Sequence, residues 1–299
     1  MQFGIREVCD VFVKAKTTGK VGNLDVVAGQ PVCHFDSLKT STVEGASTTV
    51  YAQGGKGNPR LMAWEGERTL TFTMEDALIS KTGIALLTGA GLITTKGADG
   101  TKVLKKHVTV TGTASSASAM KLDDADITLI YDDTTGTMAD VSDYPIYISL
   151  LDVNGDATEF VKGETVDGKN FTGIFVNGGK YLVDGYTEVG TGEELSQIDI
   201  EPDKFGGNYY FEGSTLFKNK DGKDLPAEFI IPNGKIQSNF TFTMASSGDP
   251  STFTYTVDAF PGPTKNDPSK KVLASIQILE TTADTSIKDY PNDIGWFKK

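Results

Sequence analysis

Thr252-Phe253-Thr254-Tyr255-Thr256-Val257-Asp258 alternates hydroxyl or acidic residues with apolar ones. Successive side chains of a strand point to opposite faces, so this period of two gathers Phe253, Tyr255 and Val257 on one side. Two other stretches repeat it. In Thr69-Leu70-Thr71-Phe72-Thr73-Met74 the apolar face is Leu70, Phe72 and Met74. In Asn239-Phe240-Thr241-Phe242-Thr243-Met244 it is Phe240, Phe242 and Met244. Between the last copy and the first lies Ser246-Ser247-Gly248-Asp249-Pro250-Ser251, a run of turn formers. The spacing predicts a β-hairpin over 239–258. Threonine suits such strands because its branched Cβ fits the pleat. The apolar face needs a core; the threonine face needs water or another hydroxylated surface.

Outward from these stretches, one short helix is expected. Ser80 can cap it, Ile84, Leu86 and Leu87 give it an apolar side, and Gly89 can end it. Thr40 to Pro59 is polar and rich in Ser, Thr and Gly. It reads as a long loop, 40–59, either a surface loop or an arm that orders against a neighbouring subunit, with Val50 and Tyr51 as apolar anchors. From about Lys102 to Glu201 the texture changes to short apolar runs between Asp- and Gly-rich turns. This predicts an inserted β-sandwich-like domain, 102–201, interrupting a core built from 1–101 and 202–299. A last strand is expected at Val272–Leu279, before a tail ending in Trp296-Phe297-Lys298-Lys299.

The chain has 299 residues, about two domains' worth at roughly 150 each. Its formal charge is −12 and its pI about 4.7, which argues against a protein that grips nucleic acid through a basic face. Ile236 to Thr264 contains no Lys or Arg, only Asp249 and Asp258. Such a surface can lie beside DNA with little attraction, since cations are what bind phosphate. No run of 18 apolar residues exists, so no membrane insertion is expected. Met1 to Ala15 carries Arg6, Glu7, Asp10 and Lys14 and does not read as a secretory signal. Cys9 and Cys33 have no CxxC spacing and read as buried, unpaired thiols.

Chemistry-bearing motifs are weak. Asp152-Val153-Asn154-Gly155-Asp156 resembles the opening of a calcium loop, but its glycine is one place early and no Glu follows at the twelfth position. Asn-Gly between apolar runs is a hairpin turn. Asn170-Phe171-Thr172 and Asn239-Phe240-Thr241 match the glycosylation pattern by chance frequency. The glycines at 54–57 and 89–91 lack P-loop spacing. His34, Asp123, Asp124, Asp126, Asp132 and Asp133 form no recognisable acid–base or metal constellation. No catalytic residue, cofactor or metal is expected, and the protein is not expected to be an enzyme.

Three segments resemble tail tube proteins of tailed bacteriophages. They are Thr49 to Thr73, through Arg60-Leu61-Met62-Ala63-Trp64-Glu65-Gly66-Glu67-Arg68; Ile231 to Ala245, through Pro232-Asn233-Gly234-Lys235-Ile236; and Phe35-Asp36-Ser37-Leu38-Lys39-Thr40-Ser41. The resemblance covers the first and last hundred residues and implies a tail-tube-like β-sandwich or barrel core. It implies hexameric rings that share an inner β-barrel and stack into the conduit for DNA ejection. On that map Leu61–Met74, Ile236–Ala245 and Thr252–Asp258 form the inner sheet. Thr69, Thr71, Thr73, Thr241, Thr243, Thr254 and Thr256 face the lumen. Val43, Glu44, Val50, Tyr51 and Gln53 belong to the inter-ring arm. The implied partners are other copies of the chain, the tail sheath, baseplate and terminator proteins, and DNA in passage. The implied location is the virion tail, after assembly in the host cytoplasm. The alternative is another virion β protein, a capsid decoration or a fibre-associated adhesin, with Tyr181, Tyr186, Tyr209 and Tyr210 as sugar-stacking candidates.

Overall fold

Strands dominate because Thr, Val, Phe and Tyr alternate with polar residues through most of the chain. The computed structural model describes residues 2–21, 24–89, 92–96, 105–130, 144–189, 193–241, 243, 246–247 and 252–280. The first part holds β1 (Phe3–Ile5), β2 (Asp10–Ala15), β3 (Gly19–Val21), β4 (Leu24–Val26) and β5 (Pro31–Phe35). Then come β6 (Leu38–Gln53), β7 (Arg60–Asp76) and α1 (Lys81–Thr88). The middle holds β8 (Leu92–Lys96), β9 (Lys105–Ala114), β10 (Ala119–Leu122), β11 (Tyr147–Leu150) and β12 (Val161–Lys162). It continues through β13 (Glu164–Thr165), β14 (Asn170–Thr172), β15 (Lys180–Glu188) and β16 (Glu194–Ile198). The last part holds β17 (Asn208–Asn219), β18 (Asp224–Ile236), β19 (Phe253–Ala259), β20 (Gly262–Pro263), β21 (Lys271–Val272) and β22 (Ser275–Ile278). Residues 1–92 and 198–299 form one compact unit, and 93–197 a second.

The first unit is a barrel-like sheet in the order β5-β2-β17-β18-β19-β7-β6, with β1 added to β17 and β22 to β18. Its strand pairs among the described residues are antiparallel. The sheet curls over its core: Phe35 of β5 meets Tyr255 of β19 at 4.8 Å between ring centroids, though three strands lie between theirs. Val11, Val13, Phe72, Met74, Phe211, Ile231, Phe253, Tyr255 and Val257 fill that core at 1% exposure or less. Phe72, Met74, Phe253, Tyr255 and Val257 are the apolar halves of two of the alternations read from the sequence. Helix α1 lies where expected. Ser80 Oγ accepts from Gly83 N at 2.9 Å, Gly89 ends the helix at φ 67°, and Leu86 and Leu87 are fully buried. The all-β class with one short helix holds.

The second unit is a seven-stranded sheet, β12-β11-β15-β9-β10-β14-β13, over a core of Met120, Leu129, Ile146, Phe171 and Val183. Strands β8 and β16 pair with each other. Asn154-Gly155 makes the expected turn, with Gly155 at φ 87° and a bridge from Leu151 to Ala157.

Two expectations are corrected. Residues 40–59 are not a loop. Val43, Glu44, Val50, Tyr51 and Gln53 all lie in β6, which pairs with β7 from Leu38 to Gln53, leaving only 54–59 as the turn. Thr40, Thr42, Val43, Thr48, Thr49 and Val50 are strand formers, and a strand exposed on both faces has no reason to alternate. Nor does a strand run from Ile236 to Ala245. Strand β18 ends at Ile236, and Thr241 and Thr243 stand outside any strand. Past that end, Gln237 turns its amide onto Asp258, at 3.0 Å from both carboxylate oxygens. Phe240 then folds in beside Phe253, ring centroids 6.4 Å apart. Residues 242, 244 and 245 lie outside the described residues, as does the Trp296-Phe297 tail.

Candidate functional site

Strands β6, β7 and β19 form the edge of the first unit's sheet. Their inner side is core; their register builds the other side row by row. Thr42, Thr73 and Thr256 stand directly opposite one another. The next row is Glu44, Thr71 and Asp258, and the one on the other side is Thr40, Glu75 and Thr254. Five of the expected lumenal residues are therefore assembled on one face: Thr69, Thr71, Thr73, Thr254 and Thr256. Thr241 and Thr243 are exposed but not part of it. The register adds Glu44, Glu75 and Asp258. Glu75 accepts from Thr252 at 2.5 Å and from Thr40 at 3.3 Å. The rows so defined carry three carboxylates and no cation, so the face presents hydroxyls within a negative field.

Beyond these rows the hairpin leaves the core. Thr48 stands opposite two residues of β7, Gly66 and Glu67, because the register steps from Ser47–Arg68 to Thr49–Glu65. This is a β-bulge. Glu67 N donates to Thr48 Oγ1 at 2.9 Å, and a Cβ on residue 66 would stand 2.4 Å from that oxygen. Glycine is the residue that fits. Past the bulge, Val50 pairs with Trp64 and Ala52 with Met62, on the same face of β6 as Thr42 and Glu44. Val50, Met62 and Trp64 are 64%, 57% and 52% exposed. Leu61 is exposed too, and Arg60 stacks over the Tyr51 ring at 4.1 Å from its centroid. Gly55 at φ 84°, Gly57 at φ 88° and Asn58 at φ 49° close the turn. The outer half of the hairpin is thus a blade with apolar side chains in water. Contiguous exposed apolar side chains of this kind mark an interaction surface.

Among the described residues, both ends of the main sheet order, β5 and β6, are unpaired on their outer edges. A long exposed edge strand is a template for pairing with another chain.

Elsewhere in this unit, Glu212 on β17 sits between Lys14 and Lys265. Burial pushes its carboxyl up, but the two ammonium groups outweigh this and hold it below the usual carboxylate range. Tyr210 lies under the Lys265 ammonium at 4.7 Å, and Tyr209 is buried. Cys9 and Cys33 are buried free thiols, and burial pushes Cys33 up to about 11. In the second unit Tyr181 is core, while Tyr186 meets Tyr144 and His107 edge to face. Tyr181 and Tyr209 are therefore core side chains of their own units, not exposed stacking surfaces. Asp152 caps its own turn: the N–H groups of Asp156 and Asn154 hold it below the usual range. Among the described residues no three His, Cys, Asp or Glu side chains group as a metal site. No helix among them is long and apolar enough to cross a membrane.

Sequence reasoning passed over Trp64, Met62 and Leu61. They stood in the quoted segment, but an unbroken alternation through Arg68 would have placed them without the bulge. Gly66 in an otherwise strand-like run was the available signal.

No curated protein matches the chain. Its sequence matches the YomU/Tube protein family over residues 3–274, spanning both halves of the core and the domain between them. With its threonine- and carboxylate-bearing face, its open sheet edges and its uncovered blade, the chain belongs to the YomU/Tube protein family, in keeping with its likeness to phage tail tube proteins.

Proposed function

We propose that this chain builds a phage tail tube in which hexameric rings stack into a conduit for DNA during ejection. The β6–β7 hairpin carries the reading. Its inner half belongs to a sheet with open edges, and its outer half exposes Val50, Met62 and Trp64 with nothing among the described residues to cover them. Edge strands of neighbouring copies complete one another, and a closing ring leaves no free edge. The heterologous contact this requires is the kind that generates rings. The blade is the arm that reaches the next ring; of the expected arm residues Val50, Tyr51 and Gln53 lie on it, in a strand instead of a loop, whereas Val43 and Glu44 stand at the root.

The face of Thr42, Thr71, Thr73, Thr254 and Thr256, with Glu44, Glu75 and Asp258, lines the bore. Carboxylates repel phosphate and hydroxyls hydrogen-bond only locally, so DNA slides without being held. No chemical step is involved, and no cofactor enters. The ring partners are other copies; sheath, baseplate and terminator proteins meet the tube in the virion tail, after assembly in the host cytoplasm. Electron microscopy of purified protein tests this. Rings or stacked tubes with a stain-filled bore are expected. A stable compact trimer would overturn the reading in favour of a decoration protein or adhesin. Thr73→Lys with Thr256→Lys is expected to leave tubes intact and to block DNA passage.

A further inference from the structure

We propose that a cleft beside the root of the β6–β7 hairpin is the receptor for the apolar blade of a second copy; this rests on the tube reading above. The cleft has a volume of about 460 Å³. Gly45, Ala46 and Ser47 of β6 with Arg68, Thr69 and Leu70 of β7 line one side, and Leu273 and Ala274 the other. A cavity of ~150 Å³ already holds a benzene ring, so an indole has room here. The lining is of two kinds. Leu70, Leu273 and Ala274 supply an apolar wall, and Gly45 keeps the floor open, with nothing within 4 Å of where its Cβ would stand. Arg68 supplies a guanidinium that makes no ion pair among the described residues.

The blade matches each feature. Trp64, Val50 and Met62 are the apolar insert, and Trp is the side chain most enriched among interface anchors. Glu67 lies at the bulge on the same face of the hairpin as Trp64, so the inserting face carries an acid where the cleft carries a cation. An indole beneath a guanidinium also gains a cation–π contact.

Direction follows from parity. Four of the six hairpin residues that line it, Gly45, Ser47, Arg68 and Leu70, share the face opposite to Val50 and Trp64, so the cleft opens on that face. A copy cannot seat its blade in its own cleft. A patch on one face that fits a pocket on the other joins copies head to tail, and the contact propagates. Each copy then gives one blade and receives one.

Cross-linking tests this. Met62→Cys and Ser47→Cys in one chain put thiols on blade and cleft, on opposite faces and far apart within a copy, while Cys9 and Cys33 stay buried. Mild oxidation of dilute protein is expected to give a covalent ladder of three and more chains. Ser47→Cys alone is expected to give none, and Met62→Cys alone nothing beyond two. A ladder absent while tubes still form would overturn the cleft and leave the tube reading standing. Products stopping at two chains would overturn the head-to-tail direction. No ladder and no tubes would overturn both.

Mixing adds an independent check. Trp64→Ala removes the insert and is expected to raise the concentration needed for assembly by about thirtyfold. Arg68→Glu turns the cleft against the acidic face. At a concentration just sufficient for the parent, neither variant alone should polymerise; mixed there, they should associate in pairs, because one good blade then meets one good cleft. Tubes from either variant alone at that concentration would count against the proposal.

Discussion

At the root of the β6–β7 hairpin, Phe72 and Met74 are 1% and 0% exposed; further out on the same strand, Met62 and Trp64 are 57% and 52% exposed. The backbone pairing is the same in both places. What differs is what lies behind the side chains. The root packs on β2, β5, β17 and β19 through a shared core, whereas among the described residues the blade has only its own two strands. A lone two-stranded ribbon is marginal in water. The root therefore carries stability, and the blade carries contact with something outside the chain. The bulge at Thr48, Gly66 and Glu67 is the border between them.

That division can be broken at either end. Phe72→Ala should have the largest effect on the isolated chain, a loss of about 3–5 kcal/mol in urea unfolding, because the cavity opens where four strands meet. A loss under 1 kcal/mol would mean that the root is not core. Gly83→Ala should cost about 1–3 kcal/mol. Its Cβ would stand 2.5 Å from the Oη of Tyr255, which is fully buried, and 2.9 Å from the Oγ of Ser80, which caps α1. An unchanged midpoint would show that α1 can shift freely.

Alkaline pH should also act on the root and not on the blade. Burial raises the folded Cys33 thiol to about 11, from an ordinary value near 9.0. Its contribution is complete below about 9 and is lost as pH rises toward 11, where the unfolded chain ionises first. The melting temperature of Cys33→Ala should fall less than that of the parent between pH 8 and 11. Parallel curves would refute the assignment. The smallest effect on folding belongs to the blade. Trp64→Ala should change the stability of unassembled chain by less than about 0.5 kcal/mol, while assembly suffers. A larger loss would mean that the blade packs on its own chain.

The root was readable because burial on one face forces alternation: Leu70, Phe72 and Met74 are the mark of a half-buried strand. The helix was readable from Ser80 and Gly89, whose backbone roles few residues fill. The blade was unreadable for the reverse reason. Val43, Glu44, Val50 and Tyr51 sit in a strand wet on both faces, so no burial imposed a period and the stretch resembled a loop. The stretch after Ile236 deceived in the other direction. Phe240 and Thr241 kept the alternating texture, but Phe240 gained more from the Phe253 ring than from staying in line. The threonine face was half legible. Thr71 and Thr256 came from pattern, while Glu75 and Asp258 joined them only through cross-strand register, which pattern does not contain.

The pairing of β8 with β16 has a consequence for how this chain could be edited. The second unit, 93–197, starts and finishes in two strands that lie side by side, at the ~4.8 Å spacing of a sheet. The cut ends of the insertion are therefore held together like the neck of a bag. A different module whose own termini lie close could be sewn in at that neck without re-spacing the host. If the host polymerises, every copy would carry the foreign module at one regular position along a fibre.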